Sequence, residues 1–555
     1  MPLAVAVASL LLLGCRTASH YKADADREAY HILTRKHERT VGTPMKFTID
    51  PPGEAPLERH LGGAAAGRPE GAAATAAEPT ATESENGLPV VKGAVRLSLR
   101  DTLELAARFS RDYQSRKEDL YLSALALAAE RFNWRPQWTG NLDAGVAETA
   151  GDGSATAGAD FGVSQLLAFG GQATLGLSSN LVRYATGDPR TIAASVLSGE
   201  LFVPLWRGHG RLVAQEGLTQ AERDTAYAVR AFSRFRKTFS YEVTSRYYRV
   251  LQQRDAVINQ WKNYLRNRQS RQDTEATAAA GERPQLEVDQ ARQQELSAQA
   301  SWVRAVRQYE AQLDQFKVSL GLPVDAPVEV DPAEVDKLRQ AGLREVTLPL
   351  ERAVELALQR RQDLIVAYAR VADAERQVQV ASNGLGPDVD LAVNASVPTE
   401  GPNHAAKFQV HEGTYTAGLD VALPLRRMAE RNTYRRALIS LEQARRSADQ
   451  LRDDVKLSVR DDWRNLEEAA VSHRIQRDSV DLAERRVLGN RELLRRGEAT
   501  ARDVLEANEA LVNAQNALTQ TVIDHTLARL ALWRDTGLLR VGPDGVWEEI
   551  TDVEP

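Results

Sequence analysis

The sequence predicts an α+β membrane protein in which long antiparallel coiled-coil helices continue the strands of a transmembrane β-barrel. Two observations support this class. An apolar strand pattern runs through a proline into a long helical pattern twice, in "ELFVPLWRGHGR" at 200–211 and in "DVALPLRRMAER" at 420–431. Only 6% of the residues are aromatic, and Ala, Gln, Arg, Glu and Leu dominate long stretches, which favours extended helices over a compact enzyme core. Because the junction occurs twice, we expect two internal structural repeats.

The only cysteine of the chain, Cys15, closes an apolar N-terminal run. The run is too short to span a bilayer of about 30 Å as a helix, but it suits the apolar region of an export signal. "LLGC" at 12–15 resembles the lipobox of bacterial lipoproteins, in which the signal is cut before a cysteine that then receives lipid. We therefore expect a signal peptide at 1–14 and lipidation of Cys15. The alternative is an ordinary buried cysteine.

Composition and short alignments divide the rest of the chain. "LRDTLELAARFSRDY" at 99–113 aligns without gaps with "LERAVELALQRRQDL" at 350–364, and "GERPQLEVDQA" at 281–291 aligns with "GEATARDVLEA" at 497–507. The sequence of each half therefore predicts the same order of elements: a helix, strands, a long helix, a turn and a second helix of the hairpin. The expected domains are an N-terminal extension with a low-complexity linker at 15–95, a first repeat at 96–340, a second repeat at 341–540 and a C-terminal tail at 541–555.

The strand regions show the alternation of a membrane barrel, with an apolar face for lipid and a polar face for the lumen. In the second half, Val389, Leu391 and Val393 share one face, and Leu419 and Val421 share one face of the next strand. We expect strands at about 137–148, 158–168, 171–182 and 195–206 in the first half, and at about 388–397 and 414–424 in the second.

The long helices carry apolar residues spaced by three or four, which predicts coiled-coil packing. The stretch 211–278 would reach roughly 100 Å as one helix, a length that suits a rod across a periplasm. The apolar positions are Phe232, Phe235, Phe239, Val243, Tyr247 and Val250, and again Val306, Tyr309, Leu313, Phe316 and Leu320.

Taken in order, the duplicated halves, the two strand-to-helix junctions, the "GEATARDVLEA" turn and the lipobox resemble TolC-like outer membrane efflux lipoproteins. The resemblance covers about residues 97–540. It implies a homotrimer whose strands form one twelve-stranded barrel and whose helices form a tunnel into the periplasm. The chain would be lipid-anchored in the bacterial outer membrane, and its partners would be a periplasmic adaptor protein and an inner-membrane pump.

The implied function is a passive duct, the outer membrane component of a tripartite efflux or type I secretion system. The alternative is a structural coiled-coil lipoprotein of the envelope without a pore, which would have no use for paired amphipathic strands. A twelve-stranded wall leaves the longer strand region of the first half in excess. We therefore expect the segment from Phe169 to Tyr184 to extend a hairpin or fold at the rim of the barrel.

The resemblance also implies site residues. Asp503 and Glu506 match the acidic pore constriction of the family, where three copies would form two acidic rings that attract cations. A solvated helix face, with an N-terminal acid favoured by the helix dipole, is the alternative. The strand-to-helix junctions are Pro204, Gly208, Gly210 and Pro424, and the helical tips that would contact the adaptor are Gly281, Glu287, Val288, Gly497 and Val504.

The sequence carries no pattern of catalytic residues. Its nine histidines are scattered, without the HExxH spacing of a zinc site. Neither a phosphate-binding GxxxxGK[ST] loop nor a GxSxG nucleophile turn is present. We therefore expect no enzymatic activity, no cofactor and no metal site.

Overall fold

The computed structural model describes most of the chain between residues 17 and 548. The described ranges are 17–42, 47–50, 86–89, 94–149, 152–186, 190–281, 284–344, 346, 348–401, 404–423, 426–496 and 498–548. Three predicted site residues, Cys15, Pro424 and Gly497, lie outside these ranges, as do the predicted signal peptide and most of the low-complexity linker.

Helices dominate both halves of the chain, and strands interrupt them in two places. The first-half elements are α1 (Ala18–Val41), β1 (Val95–Leu97), α2 (Leu99–Phe109), α3 (Arg111–Asn133), β2 (Gln137–Thr149), β3 (Asp152–Leu166), β4 (Gln172–Tyr184), β5 (Thr191–Pro204), α4 (Arg211–Ala214), α5 (Glu216–Ala279), α6 (Gln285–Leu320), β6 (Val328–Val330) and α7 (Ala333–Ala341). The second-half elements are α8 (Leu350–Arg360), α9 (Gln362–Asn383), β7 (Asp388–Pro398), a short 3-10 helix (Val410–Glu412), β8 (Thr414–Ala422), α10 (Met428–Arg495) and α11 (Ala501–Asp535). This α+β architecture with long helices is the predicted one.

The chain folds into two compact units, each of which takes segments from both halves of the sequence. The sheet unit comprises the described parts of Met1–Thr48, Asp119–Arg230 and Val366–Leu451. The helical unit comprises those of Ile49–Glu118, Ala231–Ile365 and Arg452–Pro555. Among the described residues, none of the helices combines the length and the apolar character that crossing a membrane requires.

In the sheet unit, six strands form one antiparallel sheet in the order β2-β3-β4-β5-β7-β8. All six predicted strands are therefore confirmed. The segment from Phe169 to Tyr184 was expected to extend a hairpin or to fold at the rim of the barrel, and the second of these alternatives is wrong within the sheet. Strand β4 pairs with β3 from Gln172 to Tyr184 and with β5 from Gln172 to Arg183, so both of its edges are satisfied inside the sheet.

The N-terminal extension contributes a folded helix to the sheet unit. Ile32 and Leu33 of α1 are buried. The Tyr121 hydroxyl donates a hydrogen bond to Asp26 Oδ1 at 2.6 Å, and Lys36 forms an ion pair with Glu222. Only the later part of this extension was predicted to be low-complexity, and α1 precedes it.

In the helical unit, α5 and α6 form an antiparallel hairpin. Arg271 of α5 pairs with Glu295 of α6, and farther from the turn the rings of Trp261 and Trp302 lie 4.7 Å apart. Most of the predicted apolar positions of α5 and α6 are buried. Phe232, Phe239, Val243, Tyr247, Val250, Tyr309, Leu313, Phe316 and Leu320 are buried, and Phe235 and Val306 are half-buried.

Helices α10 and α11 form the corresponding hairpin of the second half. A cluster of small and branched residues packs between them, so the two backbones approach closely: Val480, Ala483, Val487, Ala507, Leu511 and Ala514. A two-stranded parallel pair, β1 with β6, completes the unit, and Tyr247 anchors it by donating to the Leu97 carbonyl at 3.0 Å.

Candidate duct surfaces and helical hairpin ends

The sheet has one largely apolar face, which runs across all six strands. The register of the strands defines this face, because residues paired across neighbouring strands point to the same side of the sheet. One row runs from Phe161 through Leu177 and Leu197 to Val397. Trp138, at the start of β2, lies on this face and is 82% exposed. Other exposed apolar residues of the face are Leu142, Val146, Leu175, Leu181, Leu201, Val393, Tyr415, Leu419 and Val421.

The opposite face is rich in Ser, Thr, Asn, Gly and acidic residues. Asp390 and Asp420 are direct partners in the β7–β8 register, and Glu200 lies opposite Asn394 on the neighbouring strand. Asp143 and Asp160 continue this face on β2 and β3. The sheet is therefore amphipathic over its whole width, as the alternation of the two second-half strands predicted.

The first strand-to-helix junction follows Pro204, at the end of β5. Gly208 and Gly210 adopt positive φ angles of 81° and 98°, a conformation that glycine alone adopts without strain. Their backbone N–H groups are satisfied: Gly208 donates to Asn383 Oδ1 at 2.8 Å and Gly210 donates to the Phe169 carbonyl at 2.9 Å. The chain thus changes from strand to helix without leaving these donors unpaired.

The second junction is built differently. Pro424 lies outside the described residues, and no glycine follows it before α10 begins at Met428. Arg427 donates a hydrogen bond to the Leu385 carbonyl. The second junction therefore uses a side-chain guanidinium as a hydrogen-bond donor. The first junction uses the backbone N–H groups of two glycines.

At the first hairpin end, α5 ends at Ala279 and Gly281 turns the chain with a φ of 80°. Val288, in the first turn of α6, is buried, whereas Glu287 is half-buried and Leu286 is 66% exposed. The surface that this end presents therefore consists of Leu286 and its polar neighbours, while Val288 helps to close the hairpin.

At the second hairpin end, a capping box starts α11. Thr500 Oγ accepts a hydrogen bond from Asp503 N at 3.3 Å, and Asp503 Oδ2 accepts from Thr500 N at 2.8 Å. The Thr500 hydroxyl also donates to Asp503 Oδ2 at 2.7 Å, and this hydrogen bond, followed by that of the Thr500 N–H, lowers the pKa of Asp503. Val504 is only 2% exposed, so it belongs to the interior of this end. Glu506 lies one turn farther on, where Arg502 donates to it at 3.2 Å.

These two carboxylates therefore have local partners within the protomer. Asp503 has the position and contacts of a helix N-terminal acid, and Glu506 lies between Arg502 and Arg486, the latter at 4.0 Å. Both features are those of the solvated-face alternative. The side chain of Glu506 is half exposed.

Comparison with known proteins finds a family match in the second half of the chain. Residues 353–537 match the outer membrane efflux protein family. The matched segment resembles members of this family. It contains α9, both second-half strands and the α10–α11 hairpin. The predicted resemblance to this family is thereby confirmed.

A curated relative and two solved structures extend the comparison. The outer membrane efflux protein BepC of Brucella suis biovar 1 is 27% identical over 223 residues, which cover 40% of this chain and 48% of BepC. The chain thus spans about half the length of that relative. The Campylobacter jejuni CmeC outer membrane channel has a TM-score of 0.59 at 14% identity, covering 79% of this chain and 85% of CmeC. The Vibrio cholerae outer membrane protein VceC has a TM-score of 0.58 at 17% identity, covering 79% and 96%. The fold is shared with both structures.

Buried charges in the matched segment were not predicted from the sequence. Asp535, at the end of α11, is buried against three arginines: Arg534 at 2.8 Å, Arg234 at 3.3 Å and Arg361 at 3.9 Å. Burial, and next the charge of Asp535, raise the pKa of Asp462 to about 8. Hydrogen bonding and the charge of Arg534 hold the pKa of Asp535 at about 2 against the opposing effect of its burial.

Across neutral pH the pair formed by Asp462 and Asp535 therefore holds one proton, on Asp462.

In the sequence, the segments "VRDDWRNL" and "LWRDTGL" around these two residues have the charge pattern of ordinary helices. The one available signal was the apolar run that precedes Asp535 in α11, in which Leu530, Ala531 and Trp533 are buried. Among the described residues, no group of His, Cys, Asp and Glu has the arrangement of a metal site.

Proposed function

We propose that this protein is the outer membrane channel of a tripartite efflux or type I secretion system, a passive duct from the periplasm or an inner-membrane pump to the exterior. The observation that carries the proposal is the two-faced sheet on the same chain as an efflux protein domain. A largely apolar face across six strands has the character of a lipid-facing wall, and the polar face behind it has that of an aqueous lumen. A structural lipoprotein without a pore would gain nothing from such a sheet.

The sheet requires further copies of the chain. Within the described residues, β2 and β8 are its outer strands, and each has one edge without a partner strand. Open strand edges do not persist in a bilayer, because no water satisfies their backbone groups. We propose that β2 of one protomer pairs with β8 of the next and that three protomers close the barrel.

The wall of this barrel would have eighteen strands, not twelve. Each protomer supplies six strands in one continuous sheet, and β4 is paired along both edges. Barrel diameter grows with strand number, so the lumen would be wider than that of a twelve-stranded barrel. A density map of the purified trimer tests this count. A wall of twelve strands, with β3 and β4 outside it, would refute it.

The two halves, 96–340 and 341–540, are proposed to be structural repeats. Each half contains a helix pair, strands and a long helical hairpin in the same order. The hairpin ends would contact the periplasmic adaptor, through which the inner-membrane pump is reached. Leu286 supports this role at the first end, since it is a large apolar side chain left exposed. Lipidation of Cys15, expected from the lipobox, would add an anchor in the outer membrane, and mass spectrometry of the extracted protein would detect it.

The face assignment offers the sharpest test of the duct. Leu177 and Ser178 are neighbours on β4 whose cross-strand partners place them on the apolar and the polar face. In intact cells, a water-soluble thiol reagent should label Ser178→Cys through the lumen and leave Leu177→Cys unlabelled in lipid. Cys15 is the only native cysteine, so the wild-type protein gives the background. Equal labelling of both variants, together with an absence of conductance in planar bilayers, would favour the structural lipoprotein.

A further inference from the structure

A basic cavity lies in the helical unit, beside the second hairpin end. It has a volume of about 680 Å³ and is lined by the last turns of α5, the end of α10 and the first turn of α11. Four arginines contribute to its wall: Arg266, Arg491, Arg495 and Arg496. Asp273 is the one carboxylate among the lining residues. Positive charge therefore exceeds negative charge within this cavity.

Arg266 is the arginine whose charge is least compensated. Its Nε and Nη2 atoms are buried, and neither has a hydrogen-bond partner in the described protein. Burial, and next the positive charge of Arg491, lower the pKa of Arg266. A buried guanidinium with unused donors beside a like charge is costly, because desolvation is not repaid by any ion pair.

The neighbouring polar groups have other partners. Asp273 accepts a hydrogen bond from Gln269 at 2.8 Å. The Thr274 hydroxyl donates to the Ser270 carbonyl at 2.8 Å, within its own helix. Glu492, the nearest acid on α10, lies 3.1 Å from Arg496 and 3.8 Å from Arg495. Among the described residues, the protein thus supplies counter-charge to Arg495 and Arg496, but no hydrogen-bond partner to the buried Nε and Nη2 atoms of Arg266.

We propose that this cavity binds an oxyanion, a carboxylate or phosphate group, between Arg266 and Arg491. Guanidinium groups present planar pairs of N–H donors that match both of these anions. Val504, buried and also part of the lining, gives the cavity an apolar wall that would strengthen the charge interaction by excluding water. The proposal does not depend on the duct function, since it rests on the cavity alone.

The test is a titration of the purified full-length protein in detergent with sodium phosphate or sodium acetate, at constant ionic strength maintained with sodium chloride. Anion binding to the folded state should raise the melting temperature in a saturable manner. In Arg266→Gln and Arg491→Gln, half-saturation should require about tenfold or more anion, because a charge-assisted hydrogen bond is lost. Arg464→Gln is the matched control, since this arginine is exposed on α10 and pairs with Asp461.

A second measurement remains informative if Arg266→Gln does not fold. In phosphate-free buffer, Arg491→Gln should raise the melting temperature, because it removes the positive charge that faces Arg266. A stronger response to phosphate would assign a phosphate ligand, and a stronger response to acetate would assign a carboxylate such as an acidic side chain. Responses that are absent, or identical in wild type, Arg491→Gln and Arg464→Gln, would overturn the proposal.

Discussion

Two pairs of carboxylates in the helical unit have opposite surroundings. Asp503 and Glu506 stand at the second hairpin end, where Glu506 is half exposed and both are held by neighbours on their own helix or the adjoining one. Asp462 and Asp535 come from two different helices, and the side chain of Asp535 is only 6% exposed. The first pair was visible in the sequence through family resemblance, and the second was not.

The difference shows that position in a motif and electrostatic importance are separate properties. Water and salt screen the exposed pair, so its contribution to stability is small. Burial makes the second pair sensitive, because one of its members can be charged only where arginines supply compensation. Substitutions in the buried pair should therefore lower stability strongly. Substitutions in the exposed pair should change stability little and act on ion passage instead.

The largest effect is expected from Asp535→Asn. The substitution removes the negative charge shared by Arg234, Arg361 and Arg534 and leaves buried guanidinium groups uncompensated. Breaking a buried ion pair in this way costs about 3–5 kcal/mol. Unfolding of the detergent-solubilised protein by urea, followed by tryptophan fluorescence, would measure it. Asp524→Asn is the control, since Asp524 is 34% exposed and pairs with Arg249 alone. Equal losses in the two variants would remove the contrast between buried and exposed charges.

The next-largest expected effect is a dependence of the free energy of unfolding on pH. Asp462 has a pKa of about 8 in the folded protein, well above the roughly 3.9 of an unfolded aspartate. Between these values the folded state holds a proton that the unfolded state has released, so this group makes stability fall as pH rises, by up to about 1.4 kcal/mol per unit. Asp462→Asn, which mimics the protonated acid, should abolish this decline.

Melting temperatures measured from pH 5 to pH 9 would follow the effect. Asp461→Asn is the control, because Asp461 is the exposed neighbour of Asp462 on α10. If Asp462→Asn and Asp461→Asn had the same pH profile as the wild type, Asp462 would not be the residue that holds the proton.

A smaller and local effect is expected from Thr500→Ala at the exposed pair. The Thr500 hydroxyl and the Asp503 carboxylate complete the capping box of α11. Loss of such a cap costs about 1 kcal/mol. Hydrogen exchange should speed up in the first turn of α11 and stay unchanged in the α5–α6 hairpin. Thr277→Ala, whose hydroxyl bonds only to backbone carbonyls of its own helix, provides the comparison. An exchange rate that does not change would mean that the capping box contributes nothing.

The smallest effect on stability is expected from Glu506→Gln, within about 0.5 kcal/mol, because the contacts of Glu506 with Arg502 and Arg486 are exposed. Its effect on function should be larger. If three copies of Glu506 surround the constriction, the substitution should lower cation selectivity in planar bilayers. Glu484→Gln, exposed on α10, should not. Unchanged selectivity would place Glu506 on an ordinary solvated face.

The local pattern of the sequence predicted much of the fold. The alternation around Val389 and Leu391 identified strand β7, and the spacing from Phe232 to Val250 identified the inner face of α5. The same patterns could not show that β4 lies inside the sheet, because the backbone pairing of a strand depends on which partners reach its edges. The burial of Val504 at its hairpin end could not be predicted from the sequence either, because it depends on the packing of α11 against other helices.

The elements, their amphipathic faces and the positions of the turns follow from the order of residues along the chain, because side-chain periodicity, the conformational freedom of glycine and the rigidity of proline act within a few residues. The environment of the charges depends instead on tertiary packing. Asp462 and Asp535 meet, Arg266 and Arg491 face one cavity, and Asp503 caps its own helix. Burial and electrostatic energy depend on contacts between residues far apart in the chain, so identical residue types in similar helical patterns acquired opposite roles.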